Sequence, residues 1–148
     1  MKGKFLFLSL VVLLTTIGAK AQPAEESRSI ISTTASIKNF YSLADLKQKK
    51  KGELLDLYIE RIKVLVKTLP YIALVTKPGI TMKDVGIPTD SKNKKIFDLQ
   101  STSTESYIET TVEFQKQLMP YADTSNIIAA ILFYEQTLKS LRAFDELK

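Results

Sequence analysis

The side chains available for chemistry are limited, because the 148-residue sequence contains neither histidine nor cysteine. Ser-His-Asp and Cys-His nucleophilic catalysis is therefore excluded, and the usual ligands of zinc, copper and haem are missing. Carboxylates are the main acid–base groups left, and the candidates on helical segments that we consider are Glu60, Glu109, Glu113 and Glu135. We interpret them as solvated surface residues and assign no catalytic residue, metal or cofactor. We therefore expect that the protein is not an enzyme, and the enzymatic alternative is a hydrolase that uses carboxylates alone, as glycosidases do.

Two acids near a run of glycine and proline, Asp84 and Asp90, could suggest a calcium loop. An EF-hand loop needs oxygen ligands at alternating positions and a terminal glutamate. Residues 85–88 read Val-Gly-Ile-Pro and supply no such side chain. We therefore interpret both acids as ordinary turn residues.

Tyrosines are the second group that could form a site. The chain has six of them, and Tyr58, Tyr107 and Tyr134 fall on three different apolar segments. A tyrosine can bury its ring and keep its hydroxyl in water, which suits a ligand cleft as well as the boundary of a helix bundle. These three are the candidate binding residues, with boundary packing as the alternative interpretation.

The N-terminal 21 residues have the layout of a secretory signal peptide. Two lysines near the start precede the almost wholly apolar residues 5–14, and Ala19 and Ala21 provide small side chains before a cut at Gln22. The apolar stretch is about half as long as the ~20 residues needed to cross a bilayer. The sequence thus predicts a cleaved signal over residues 1–21 and a protein that is periplasmic or secreted. No later stretch is long and apolar enough to span a membrane.

The charge of the chain changes when this segment is removed. The whole sequence has 21 basic and 16 acidic residues, a net charge of +5. Lys2, Lys4 and Lys20 belong to the signal, which has no acid, so 18 basic residues face 16 acids and the net charge falls to +2. A charge so small and mixed gives no reason to expect nucleic acid as a partner.

Glycine and proline divide residues 22–148 into four long segments and one loop. Apolar residues recur at helical spacing in each segment, most clearly in the second and the fourth. The predicted helices cover about 25–50, 53–75, 91–119 and 123–146, and a loop that docks on the bundle covers 77–89. We therefore expect one all-α domain, an up-down-up-down four-helix bundle. The alternative is a three-helix bundle with an irregular N-terminal segment.

Three local questions stay open at this level. A fresh helix could begin at Ser42, because serine caps helices and the residues before it are rich in serine, threonine and asparagine. Pro70 could kink or end the second helix. The polar run 100–106 could break the third helix, since Thr102 and Glu105 match a capping box.

The predicted architecture resembles exported four-helix cytochromes, but haem binding does not follow because the ligating histidine is missing. The function we expect is non-enzymatic binding of another envelope or secreted protein, or of a peptide. The alternative is a carrier that holds a small apolar ligand between its helices.

Overall fold

The computed structural model describes residues 28–145, so the predicted signal peptide, residues 1–21, lies outside the described residues. The described residues form four α-helices: α1 (Leu43–Lys47), α2 (Lys51–Thr68), α3 (Ser91–Leu118) and α4 (Thr124–Asp145). Short 3₁₀ turns occupy Leu69–Tyr71, Lys83–Val85 and Met119–Tyr121. Between residues 28 and 145 extended pairing is limited to one antiparallel bridge, Ser29 with Thr81. The prediction of an all-α chain with four helices is confirmed.

Helix α2 is the central element, since it packs against both α3 and α4. Its residue Leu54 is completely buried and lies in one core cluster with Leu46 of α1 and with Ile127 and Ile131 of α4. A second cluster joins Leu65 of α2 to residues of α4 and of the N-terminal segment. The core therefore forms mainly between α2 and α4.

The first helix differs most from the prediction. The helix expected over residues 25–50 is present only as α1, and residues 28–42 have no helical turn of their own. Serine and threonine bond locally here: the Thr34 amide donates to Ser32 Oγ at 3.3 Å. Ser42 then caps α1, and Asp45 completes the capping box.

This N-terminal segment is held by the loop predicted over 77–89. The Ile30 amide donates to the Ile80 carbonyl at 2.7 Å, and the Gly79 amide donates to the Ile31 carbonyl at 3.0 Å. Gly79 has φ of 92°, a conformation in which a side chain would be strained. Ile80 and Met82 pack on a cluster of Ile30, Ile31, Ala35 and Val75. The loop therefore binds, through backbone hydrogen bonds and apolar contacts, the N-terminal segment that was predicted to be helical.

The two prolines that follow long helices act alike. α2 ends at Thr68, and Pro70 lies in the 3₁₀ turn that follows; α3 ends at Leu118, and Pro120 lies in its own 3₁₀ turn. Proline removes a backbone donor and clashes with the preceding turn, so each helix ends there and does not continue with a kink. The run 100–106, by contrast, stays within one unbroken α3.

Candidate functional site

Two of the three candidate tyrosines, Tyr58 of α2 and Tyr134 of α4, are in contact with each other. Their ring centroids are 5.5 Å apart, and their hydroxyl oxygens are 3.5 Å apart. Phe133 extends the group, with its ring centroid 5.9 Å from that of Tyr134. α2 and α4 thus contribute aromatic rings to one cluster, which we call the aromatic cluster. Tyr107 of α3 is exposed and interacts electrostatically with Tyr134, but it is not part of this cluster.

Burial and neighbouring phenols raise the pKa of Tyr134 well above its ordinary value. Desolvation of the half-buried ring is the main cause, and the hydrogen bond with Tyr58 and the charges of Tyr58 and Tyr107 act in the same direction. When the pKa of a group is higher in the folded protein than in the unfolded chain, the group favours the folded state most at low pH, where both states are protonated. This contribution is fully present below the unfolded value of about 10 and is lost as the pH rises beyond it.

The first prediction follows from this shift. The free energy of unfolding should fall as pH rises above about 10, because the unfolded chain releases the Tyr134 proton there and the folded chain retains it. Urea denaturation at pH 8 to 11 checks this, since Tyr134→Phe should show a shallower fall than the unsubstituted protein. Tyr121→Phe, at a ring that is 87% exposed, is the matched control. An equal slope in all three proteins would contradict the assignment.

The outer face of α3 exposes a row of large apolar side chains. This row, the apolar stripe, consists of Ile96, Leu99, Tyr107, Phe114 and Leu118, each at least half exposed. At 3.6 residues per turn these positions fall within an arc of about 100° and extend for about 33 Å. Ile108 and Gln115, which are buried, lie about 100–120° around the helix from the middle of this row. The packed face of α3 and the exposed apolar row are therefore neighbouring faces of the helix.

Acidic side chains flank the apolar stripe. Glu105, Glu109 and Glu113 are exposed and spaced four residues apart, so they form a second row on the outer surface of α3. Glu109 and Glu113 are thus surface residues, as expected from the sequence. Tyr107 of the stripe interacts electrostatically with Tyr134 of the aromatic cluster.

Glu135, in contrast, is not a surface residue, and that prediction is wrong. It is 1% exposed and accepts two hydrogen bonds from Arg61, from Nε at 3.1 Å and from Nη2 at 2.8 Å. Arg61 is also 1% exposed; it donates further to the Asn39 carbonyl at 2.7 Å and pairs with Glu60. The other carboxylate oxygen of Glu135 accepts from the Tyr41 amide at 2.9 Å.

This buried network is closed to solvent at Glu135. Its carboxylate is almost completely buried and accepts from Arg61 and from the Tyr41 amide, so a substrate in solution has little access to it. The network joins α2, α4 and residues 39–41, which fixes the non-helical segment to the core. One signal for it is present in the sequence, because Arg61 lies at helical spacing from the apolar residues Leu54, Leu57, Tyr58 and Leu65 of α2.

Other polar positions are accounted for by turns. Asp84 accepts from both the amide and the hydroxyl of Thr81, and these hydrogen bonds lower the pKa of its carboxyl group. Asp90 caps α3 by accepting from the Asn93 amide at 2.9 Å. Within residues 28–145 no group of three or more acidic side chains is arranged to hold a metal ion. None of the described helices combines the length and the hydropathy that a membrane span requires.

Comparison of the chain with protein-family models, with curated proteins and with solved structures found no match. The residues and the geometry described above are therefore the basis for a functional proposal.

Proposed function

We propose that this protein is an exported, non-enzymatic helical domain that binds a segment of another protein through the outer face of α3. The observation that carries this proposal is the apolar stripe, where Leu99 is 59% exposed and Tyr107 and Phe114 are 57% exposed. Ser103 and Thr110 lie within the same arc and interrupt the stripe. Several large apolar side chains exposed on one helix face are nevertheless typical of an interaction site. Aromatic side chains in such a row are also the residue type that contributes most to binding energy at protein interfaces.

The surroundings of the stripe indicate the chemistry of the partner. The stripe supplies apolar anchors, and the row of Glu105, Glu109 and Glu113 supplies negative charge beside them. An amphipathic helix with apolar residues at i, i+3, i+4 and i+7, flanked by lysine or arginine, would complement both features. A partner segment of this kind would bury its apolar face on the stripe and place its cations near the glutamates.

Two further parts of the proposal rest on the sequence and on chain connectivity. Export is supported by the signal layout of residues 1–21, which places the binding domain, residues 22–148, in the periplasm or outside the cell. An up-down-up-down arrangement is supported by the short connections between helices: three residues separate α1 from α2, and a single 3₁₀ turn with two further residues separates α3 from α4.

Photo-cross-linking in the native cells tests the binding proposal. A benzophenone amino acid at position 114 should give one discrete heterologous product, because Phe114 is an exposed aromatic side chain of the stripe. Mass spectrometry of that product should identify a segment with apolar and basic residues at helical spacing. The same substitution at Lys63, an exposed polar position on α2, is the control and should give none.

Two outcomes would count against the proposal. Equal cross-linking from positions 114 and 63 would mean that contact is indiscriminate. Products formed only between copies of this chain would mean that the stripe is a self-association surface, which requires no other protein. Recovery of the chain from the cytoplasm with Met1 still at its N-terminus would contradict export separately.

A further inference from the structure

A cleft of about 360 Å³ lies between the N-terminal segment, the last turns of α2 and the C-terminal half of α4. Its volume is at the lower end of the range for sites that bind small molecules, which is roughly 300–1,000 Å³. None of the residues that line it belongs to α3, so this cleft is separate from the apolar stripe and from the proposed protein-binding surface.

One side of the cleft is apolar, while Ser36, Thr68, Thr76, Lys77 and Arg142 contribute polar or charged groups to its lining. Ile37 of the N-terminal segment, Val64 of α2 and Leu138 of α4 line it, and all three belong to one buried cluster against which Leu141 packs. These side chains come from three separate parts of the chain, so the surrounding core holds them in place. An alkyl group inserted here would remove apolar surface from water without requiring a polar partner.

The charged residues that line the cleft are positively charged. Lys77 and Arg142 are among the described residues that line it, and none of the described lining residues is acidic. Arg142 is positioned by Phe40, with the guanidinium carbon 5.0 Å from the centroid of the ring. A guanidinium group presents paired donors that match the two oxygens of a carboxylate. An apolar pocket with cations among its lining residues is complementary to a molecule with an alkyl chain and an anionic head.

We propose that this cleft binds a free single-chain amphiphile with a carboxylate head, with the alkyl chain against Ile37, Val64 and Leu138 and the head at Arg142. This inference is independent of the protein-binding role of α3. The alternative function predicted from the sequence was a carrier of a small apolar ligand between helices. The cleft suggests a more specific chemical class for such a ligand.

Titration of the purified protein with decanoate, followed by calorimetry and by methyl NMR, tests this inference. Decanoate should bind saturably below its micelle-forming concentration and should shift the methyl signals of Ile37, Val64 and Leu138. Arg142→Gln should weaken decanoate binding about tenfold, the effect of one lost charge-assisted contact. Decanol, which has the same chain and no charge, should bind the two proteins with affinities within about twofold of each other.

Two control variants separate the cleft from general effects of charge and stability. Lys139→Gln removes a neighbouring exposed cation of α4 that does not line the cleft, and it should leave decanoate affinity within about twofold. Ser36→Phe places a ring in the cleft from an exposed position, and it should abolish decanoate binding and decanol binding together. Circular dichroism of each variant verifies that the helical fold is intact.

Several results would overturn the inference. Absence of saturable decanoate binding would do so, and so would equal affinities of wild type and Arg142→Gln for decanoate. Methyl shifts confined to Leu99 or Leu118 would place the ligand on the apolar stripe instead. Binding to phosphatidylglycerol vesicles without any shift on addition of decanoate would indicate a membrane surface and not a free carboxylate.

Discussion

Replacing Arg61 with methionine should lower the free energy of unfolding by about 3–5 kcal/mol. Glu135 is 1% exposed, and the substitution leaves its charge buried without the guanidinium group that compensates it. The Asn39 carbonyl also loses its donor. The measurement is a urea or guanidinium titration at pH 7, followed by circular dichroism.

A double-mutant cycle distinguishes the ion pair from simple loss of packing. Removal of both charges, as Arg61→Met with Glu135→Met, should cost less than the sum of the two single changes, because no buried charge is left unpaired. Glu60→Gln is the matched control, since Glu60 also pairs with Arg61 but its side chain is 40% exposed. That change should stay within about 1 kcal/mol. Additive effects in the cycle would contradict the account of the network.

The second large effect is expected in the apolar core. Leu54→Ala should cost about 2–5 kcal/mol, because Leu54 is completely buried and its loss leaves a cavity against Leu46, Ile127 and Ile131. Lys63→Ala, at an exposed position of the same helix, should change stability by no more than about 0.5 kcal/mol. Denaturant midpoints of the two variants provide the comparison.

A small, equal effect at both positions would mean that α2 packs through another face. Leu46→Ala extends the test to α1, whose five residues contribute one completely buried side chain. If α1 is docked on the core as described, this variant should also be destabilised by about 2–5 kcal/mol.

Periodicity and breakers predicted α3 and α4 to within one residue at each described end, whereas the predicted end of α2, residue 75, lies seven residues beyond the observed end at Thr68. Their apolar faces are long, and Pro70 and Pro120 mark where α2 and α3 end. The N-terminal segment was mispredicted because Ile30 and Ile37 suit a helical face, whereas their burial in the structure comes from an extended chain that bonds to the loop near Ile80. A contact between residues 50 positions apart leaves no periodic signal in the sequence.

The candidate site was predictable only in part. The three tyrosines were recognised because each falls on an apolar helical segment. The structure brings Tyr58 and Tyr134 into contact, whereas Tyr107 lies on the exposed stripe of α3. Glu135 was taken for a surface residue because an ionised side chain is rarely buried without a partner. That partner is 74 residues away in sequence, and only the packing of α2 on α4 reveals it. The apolar stripe was hidden for a related reason: the sequence cannot show which apolar face of α3 packs inward.

We propose that the apolar stripe serves the binding of a partner and contributes little to folding. Stability and partner affinity can be measured together in one variant, Leu99→Ser with Phe114→Ser, using the partner identified by cross-linking. The unfolding free energy should change by no more than about 0.5 kcal/mol per site, because both side chains are exposed, while partner affinity should fall at least tenfold. A variant that loses stability by several kcal/mol and keeps its affinity for the partner would contradict the account.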